Sequence, residues 1–164
     1  MASVPRSARA SLIGQHGWKL LELKSNKDLH GRAYSAHLLA KELAGVGLFN
    51  SAMNAVRSVN NFRTANTIIT LATTSETIAK EMHKAGCSKP RVCEAFILEL
   101  KFARDIMDLP VQSFVAESIC REMLKAGFSQ LEIEAAFKRA GCQNLYDENK
   151  LKDFRLVEIN GHSV

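Results

Sequence analysis

Prolines are scarce in this sequence: Pro5, Pro90 and Pro110 are the only three in 164 residues. Residues 48–85, 91–109 and 111–126 contain neither proline nor glycine. Breaker-free spans of that length, rich in Ala, Leu, Glu and Lys, read as helix. A long apolar run is also missing. The greasiest stretch, TIITLA at 67–72, stops at Thr73 and falls far short of the ~18–20 residues that cross a bilayer. No secretory pattern is present, because SLIG is too short an apolar core for a signal peptide. The expectation is a soluble intracellular chain, in the cytoplasm, with no disulfides.

The familiar chemistry motifs are absent as well. There is no Gly-rich phosphate loop, no GxSxG and no HExxH. Four cysteines (Cys87, Cys93, Cys120, Cys142) include no CxxC pair, and His83 with Cys87 and Cys93 gives a spacing that matches no common zinc site. A Cys–His nucleophile pair at His83 and Cys87 would need an orienting third group and an oxyanion site, and neither is legible. No metal, no cofactor and no catalytic residue is expected. At 46% apolar and 24% charged, the chain has the composition of one globular domain with a real core.

What the sequence does have is repetition. ETIAKEMHKAGCSKPRVCEAF from Glu76 and ESICREMLKAGFSQLEIEAAF from Glu117 share ten identities in twenty-one positions, at an offset of 41. A fainter copy, LAKELAGVGLFNSAMNAV at 39–56, aligns at an offset of 39. Leu39, Ile78 and Ile119 correspond, as do Leu43, Met82 and Met123, and Met53, Val92 and Ile133. Gly47, Gly86 and Gly127 mark the turn in each copy, and Gly141 closes a further segment, as left-handed helix caps would. Ser129 with Glu132 makes a capping box, and Pro90 suits the first turn of a helix.

The pattern predicts an all-α fold of tandem helical hairpins, about three repeats of about 40 residues, stacked as a short array or folded into a bundle. Residues 1–10 read as a flexible basic leader and 11–164 as a single helical-repeat domain. Helices are expected at about 11–24, 35–45, 50–72, 75–85, 89–108, 113–126 and 130–140. The 147–164 tail reads weakly as a last helix, with Phe154–Ile159 as a strand the alternative.

The alignment also tests individual residues. Cys87 stands where Leu48 and Phe128 stand, and Cys120 where Ala40 and Ala79 stand, so both read as buried small hydrophobes. Cys142, after a helix-ending glycine, is expected to be the most exposed thiol. Glu42, Glu81 and Glu122 are equivalent positions and read as a solvated Lys–Glu edge.

One helix departs from the pattern. In 50–72 five asparagines occur, and as a continuous helix it would gather Asn50, Asn54, Arg57, Asn61 and Thr64 within about an 80° sector. Arg57 replaces the phenylalanines of the other copies, Phe96 and Phe137. The expected function is a non-enzymatic protein–protein interaction module, an adaptor or regulatory subunit, touching its partner through Asn54, Arg57, Asn61 and Thr64.

The alternative is a nucleic-acid-binding regulator that uses the same helix with Arg6, Arg9, Lys19, Lys24 and Lys27 as anion contacts. Against it, the net charge of +5 is uneven. Residues 1–34 hold six basic and two acidic groups, while 35–164 hold 16 and 15, so the body lacks a phosphate-binding footprint. The basic leader itself reads as a mobile terminus, an organelle-targeting or effector start, or an anion-contacting arm.

Overall fold

A computed structural model of the chain describes residues 29–59 and 64–147, and every regular element among the described residues is helical. The seven helices there are α1 (Leu29–Gly45), α2 (Phe49–Arg57), α3 (Ala65–Lys84), α4 (Lys89–Arg104), α5 (Leu109–Lys125), α6 (Gln130–Ala140) and α7 (Gln143–Asp147). The all-α expectation holds. The leader, the helix expected at 11–24 and the tail beyond Asp147 lie outside the described residues. No helix among the described residues is long and apolar enough to cross a membrane.

The glycines end helices as the sequence requires. Gly47, Gly86, Gly127 and Gly141 all have positive φ, a conformation that costs any residue with a Cβ. Each sits in the same double hydrogen-bonded cap. At the second turn Gly86 N–H donates to His83 O and Cys87 N–H to Met82 O, and at the third Gly127 and Phe128 donate to Leu124 and Met123. The residue after the glycine therefore folds back on the helix it has just left. This geometry overturns the expectation for Cys142. It follows Gly141 in the same cap, is fully buried, and its thiol donates to Leu100 O at 3.3 Å. Burial pushes that thiol's pKa up.

Several helix boundaries differ from expectation, beginning with α1, which starts at Leu29 and not near residue 35. The continuous 50–72 helix is divided: α2 ends at Arg57, and α3 runs unbroken through the expected break at 73–74. The Thr-rich stretch stays helical because its hydroxyls bond to carbonyls one turn back. Thr70, Thr73, Thr74, Ser75 and Thr77 donate to the carbonyls of Asn66, Ile69, Thr70, Leu71 and Thr73. Having given its proton to Thr70 O, the Thr74 hydroxyl accepts from His37 Nδ1–H at 2.8 Å and ties α3 to α1.

Farther on, α4 stops at Arg104 and α5 begins at Leu109, four residues before expectation, capped by Asp108. The buried Gln112 amide donates to both Ala103 O and Arg104 O and so satisfies the open end of α4. The short α7 was not foreseen. It seats Tyr146 against Phe137 at 5.4 Å between ring centroids. The Ser129–Glu132 capping box and the first-turn position of Pro90 are as expected.

The core is one continuous cluster that involves every described helix. The seam between α3 and α4 is its most extensive, α1 rests on α2 and α3, and α4 also meets α5 and α6. All nine residues of the three matched apolar sets are buried: Leu39, Ile78, Ile119, Leu43, Met82, Met123, Met53, Val92 and Ile133. Each such side chain stabilises the fold by roughly 1.5–3 kcal/mol through burial. Because α4 is enclosed by neighbours, its stretch from Ala95 to Leu100 is buried without interruption, and that run includes Glu99.

Candidate functional site

Helices α3 and α5 make no extensive seam with one another. A furrow lies between them, floored by α4. One face of α3 lines it with Ile69, Ala72, Thr73, Glu76, Lys80 and His83, which recur at helical spacing. The facing wall of α5 supplies Val111, Phe114, Val115, Ser118, Glu122 and Lys125. From below, α4 contributes Glu99 and, one turn earlier, Phe96.

A bridge of charges crosses the furrow near its middle. Lys80 Nζ pairs with Glu76 one turn back on α3 and with Glu122 of α5 at 3.2 Å, while Lys125 holds the other Glu122 oxygen at 2.8 Å. Burial alone would lower the Lys80 pKa, but the hydrogen bonds and charges of Glu76 and Glu122 raise it. Burial likewise opposes ionisation of Glu122, and the two lysines more than offset this, holding its carboxyl below the usual range. Glu122 is therefore not the fully solvated edge residue of the sequence reading: its side chain is only 16% exposed. Glu81 does fit that reading, pairing with Lys84 at 2.9 Å on the exposed surface.

The bridge divides the furrow into two cavities. The one beside His83, Lys84 and Phe96 has a volume of about 210 Å³. The other, about 280 Å³, is walled mainly by apolar groups of Ile69, Ala72, Val111 and Val115. The Glu99 carboxyl lies in its lining. Glu99 is 2% exposed, and its Oε2 has no hydrogen-bond partner. Burial pushes its pKa well up; the Glu76 charge adds to this, Lys80 opposes it and Glu122 reinforces it. A buried carboxyl with an orphan oxygen in an apolar cavity is an arrangement that a ligand group can complete. At the mouth stands Phe114, 71% exposed, and Leu109 and Met107 extend the exposed apolar surface along the chain.

The residues singled out from the sequence lie elsewhere. Asn54 and Arg57 are exposed on α2 and touch each other, Arg57 Nη1 donating to Asn54 Oδ1 at 3.4 Å. Asn50 accepts from Arg91 of α4 at 2.9 Å. Thr64 is the N-cap residue of α3, and its hydroxyl pairs with that of Thr67. It thus belongs to a different helix from Asn54 and Arg57, so these three do not share one helix face. Asn61, Arg6, Arg9, Lys19, Lys24 and Lys27 lie outside the described residues. No cluster of His, Cys, Asp and Glu among the described residues is arranged to hold a metal ion.

Glu99 was missed, although a signal for it existed. In AFILELKFA it stands three residues after Phe96 and four before Ala103, on the stripe that faces the core. Comparison of the chain with known protein families, curated proteins and solved structures finds no match.

Proposed function

We propose that the chain is a non-enzymatic interaction module, an adaptor or regulatory subunit, that docks a basic segment of a protein partner in the furrow between α3 and α5. The observation that carries this reading is the exposed Phe114 at the mouth of a cavity lined by Glu99, whose buried Oε2 has no hydrogen-bond partner. An exposed aromatic ring beside a concave apolar site is the usual anatomy of an interface anchor. The two acids in the cavity lining, Glu76 and Glu99, give the preferred charge of the incoming segment.

The scaffold behind the furrow is read as three stacked hairpins, α1–α2, α3–α4 and α5–α6. Supporting this for part of the stack, α1 lies on α3 and α4 on α6, whereas α3 and α5 face each other across the furrow. Cross-links fall at matching places, with Lys80 to Glu122 between first helices, and Lys89 to Glu132 and Arg91 to Asn50 between second helices. Such stacks present extended grooves to partners.

A second reading, nucleic-acid binding, draws on α2 and the start of α4. Arg57 and Arg91 take neutral asparagine oxygens as hydrogen-bond partners, which leaves their charge available to phosphate.

A tagged pull-down with and without nuclease separates these readings, run on wild type, Phe114→Asp and Arg57→Glu. A partner that survives nuclease and is lost with Phe114→Asp supports furrow docking. Loss with Arg57→Glu alone moves the contact to α2. Material that vanishes with nuclease, with a steep salt dependence, supports the nucleic-acid reading.

A further inference from the structure

Resting on the interaction reading above, we propose that the 280 Å³ cavity is a lysine pocket, taking the four-carbon stem and ammonium of one partner lysine with Glu99 as its counter-ion. Three properties of the cavity point to that occupant. Its volume exceeds the ~150 Å³ of a dry cavity that admits benzene, so it has room for one unbranched side chain. The walls formed by Ile69, Ala72, Val111 and Val115 suit methylene groups and offer them no polar partner. At the polar end, the buried Glu99 Oε2 lacks a hydrogen-bond partner, which the compact ammonium of a lysine would supply.

The charges around the cavity agree. The groups facing Glu99 are Glu76 and Lys80 from α3 and Glu122 from α5. The ionisable groups in the cavity lining are Glu76 and Glu99, both acids, and Lys80 is already engaged by Glu76 and Glu122, so the lining suits an arriving cation better than an anion. Burial first, then the Glu76 charge, with Lys80 opposing and Glu122 reinforcing, raises the pKa of the Glu99 carboxyl in the empty pocket, and below that pKa the group holds a proton. Entry of an ammonium therefore expels that proton to solvent: the carboxylic acid and R–NH₃⁺ become the carboxylate–ammonium pair and one H⁺. Affinity should rise with pH until Glu99 ionises without help.

The test uses the full chain, methyl-labelled, titrated with n-butylamine (the lysine side chain without its backbone), n-butanol and n-propylguanidine. Saturable shifts at Ile69, Val111 and Val115 are expected with butylamine, with butanol and propylguanidine about ten-fold weaker. Glu99→Gln should abolish the preference for amine over alcohol and its pH dependence, while leaving the butanol response intact. If that variant does not fold, Val111→Phe, which narrows the cavity, should suppress all three probes.

Equal binding of butylamine and butanol would overturn the lysine assignment and leave furrow docking standing. Silence of these methyls with every probe would overturn the pocket itself. A partner retained by Phe114→Asp would count against furrow docking whatever the amine titration shows, so the two failures are distinguishable.

Discussion

Glu99→Gln is the substitution whose effect can be worked furthest. An exposed glutamate in the unfolded chain titrates near ~4.3. In the folded chain Glu99 titrates well above its ordinary value, through burial first, then the charges of Glu76 and Glu122, with Lys80 opposing. Below the unfolded pKa both states are protonated, and the group takes nothing from stability. Above it, the unfolded state releases a proton that the folded state keeps. Stability then falls by ~1.4 kcal/mol per pH unit until the folded pKa is reached, where the loss levels off. Glutamine has nearly the same shape and no titration, so the variant lacks this slope.

The assay is urea unfolding of both proteins from about pH 4 to about pH 7 in steps of roughly one unit, scored as the difference between them. Other titrating groups are common to both chains and cancel. Glu122, depressed by its lysines despite partial burial, adds stability that is lost as pH falls through its folded pKa. His37, lowered by burial and by Lys41, likewise loses its contribution toward acid. The wild type should fall relative to the variant as pH rises from about 4.5, at ~1.4 kcal/mol per unit over the first part of the range. Parallel curves would mean that Glu99 ionises normally in the folded chain, and the reading of the cavity as low in dielectric and poor in hydrogen bonds would be refuted.

Three further outcomes follow from single contacts. Gln112→Leu keeps the volume but strips the donor from Ala103 O and Arg104 O, and should cost about 1–3 kcal/mol by urea unfolding; an unmoved midpoint would show those carbonyls otherwise satisfied. With a thiol reagent the folded chain should show one rapid equivalent, the half-buried Cys87, and three slow ones at Cys93, Cys120 and Cys142; four rapid equivalents would contradict their burial. Gly127→Ala, at a φ of +81°, should destabilise by ~1–2 kcal/mol, whereas Gly45→Ala, in open space, should not; equal thermal shifts would remove the left-handed cap as the cause.

Much of the fold could be read because the apolar sets and the turns recur. A positive-φ glycine after each repeated segment, the serine–glutamate box and the buried matched positions all rest on contacts within one turn of helix, which sequence spacing encodes directly. The misses share a different cause. Thr73 and Thr74 fall between two expected helices because their hydroxyls compete with the backbone in an extended chain, yet in α3 they bond back one turn without ending it. Cys142 was judged by its neighbour Gly141 alone, although its place is that of Phe128 in the preceding turn. The sector through Asn54, Arg57, Asn61 and Thr64 required one helix, and the chain divides there into two.

The furrow was hidden for a stronger reason: it depends on how α3, α4 and α5 sit together, which no single helix reveals. Even so, the repeat contains a clue. At the offset of 41 that matches the twin stretches, Glu99 corresponds to Ala140, a buried residue of α6. A small apolar side chain thus serves the equivalent position in the next hairpin, while α4 carries a carboxyl with an orphan oxygen there. Packing gives no reason for that choice, and the pH argument makes it a net cost to stability above the ordinary carboxylate range. Local rules broken at a cost to the fold are characteristic of binding sites. Glu99→Gln should therefore raise stability above the ordinary carboxylate range, as the pH-dependent loss disappears, while it lowers binding, as the preference for an amine disappears. A carboxyl kept for packing would also lose the slope on substitution, but it would show no preference for an amine to lose.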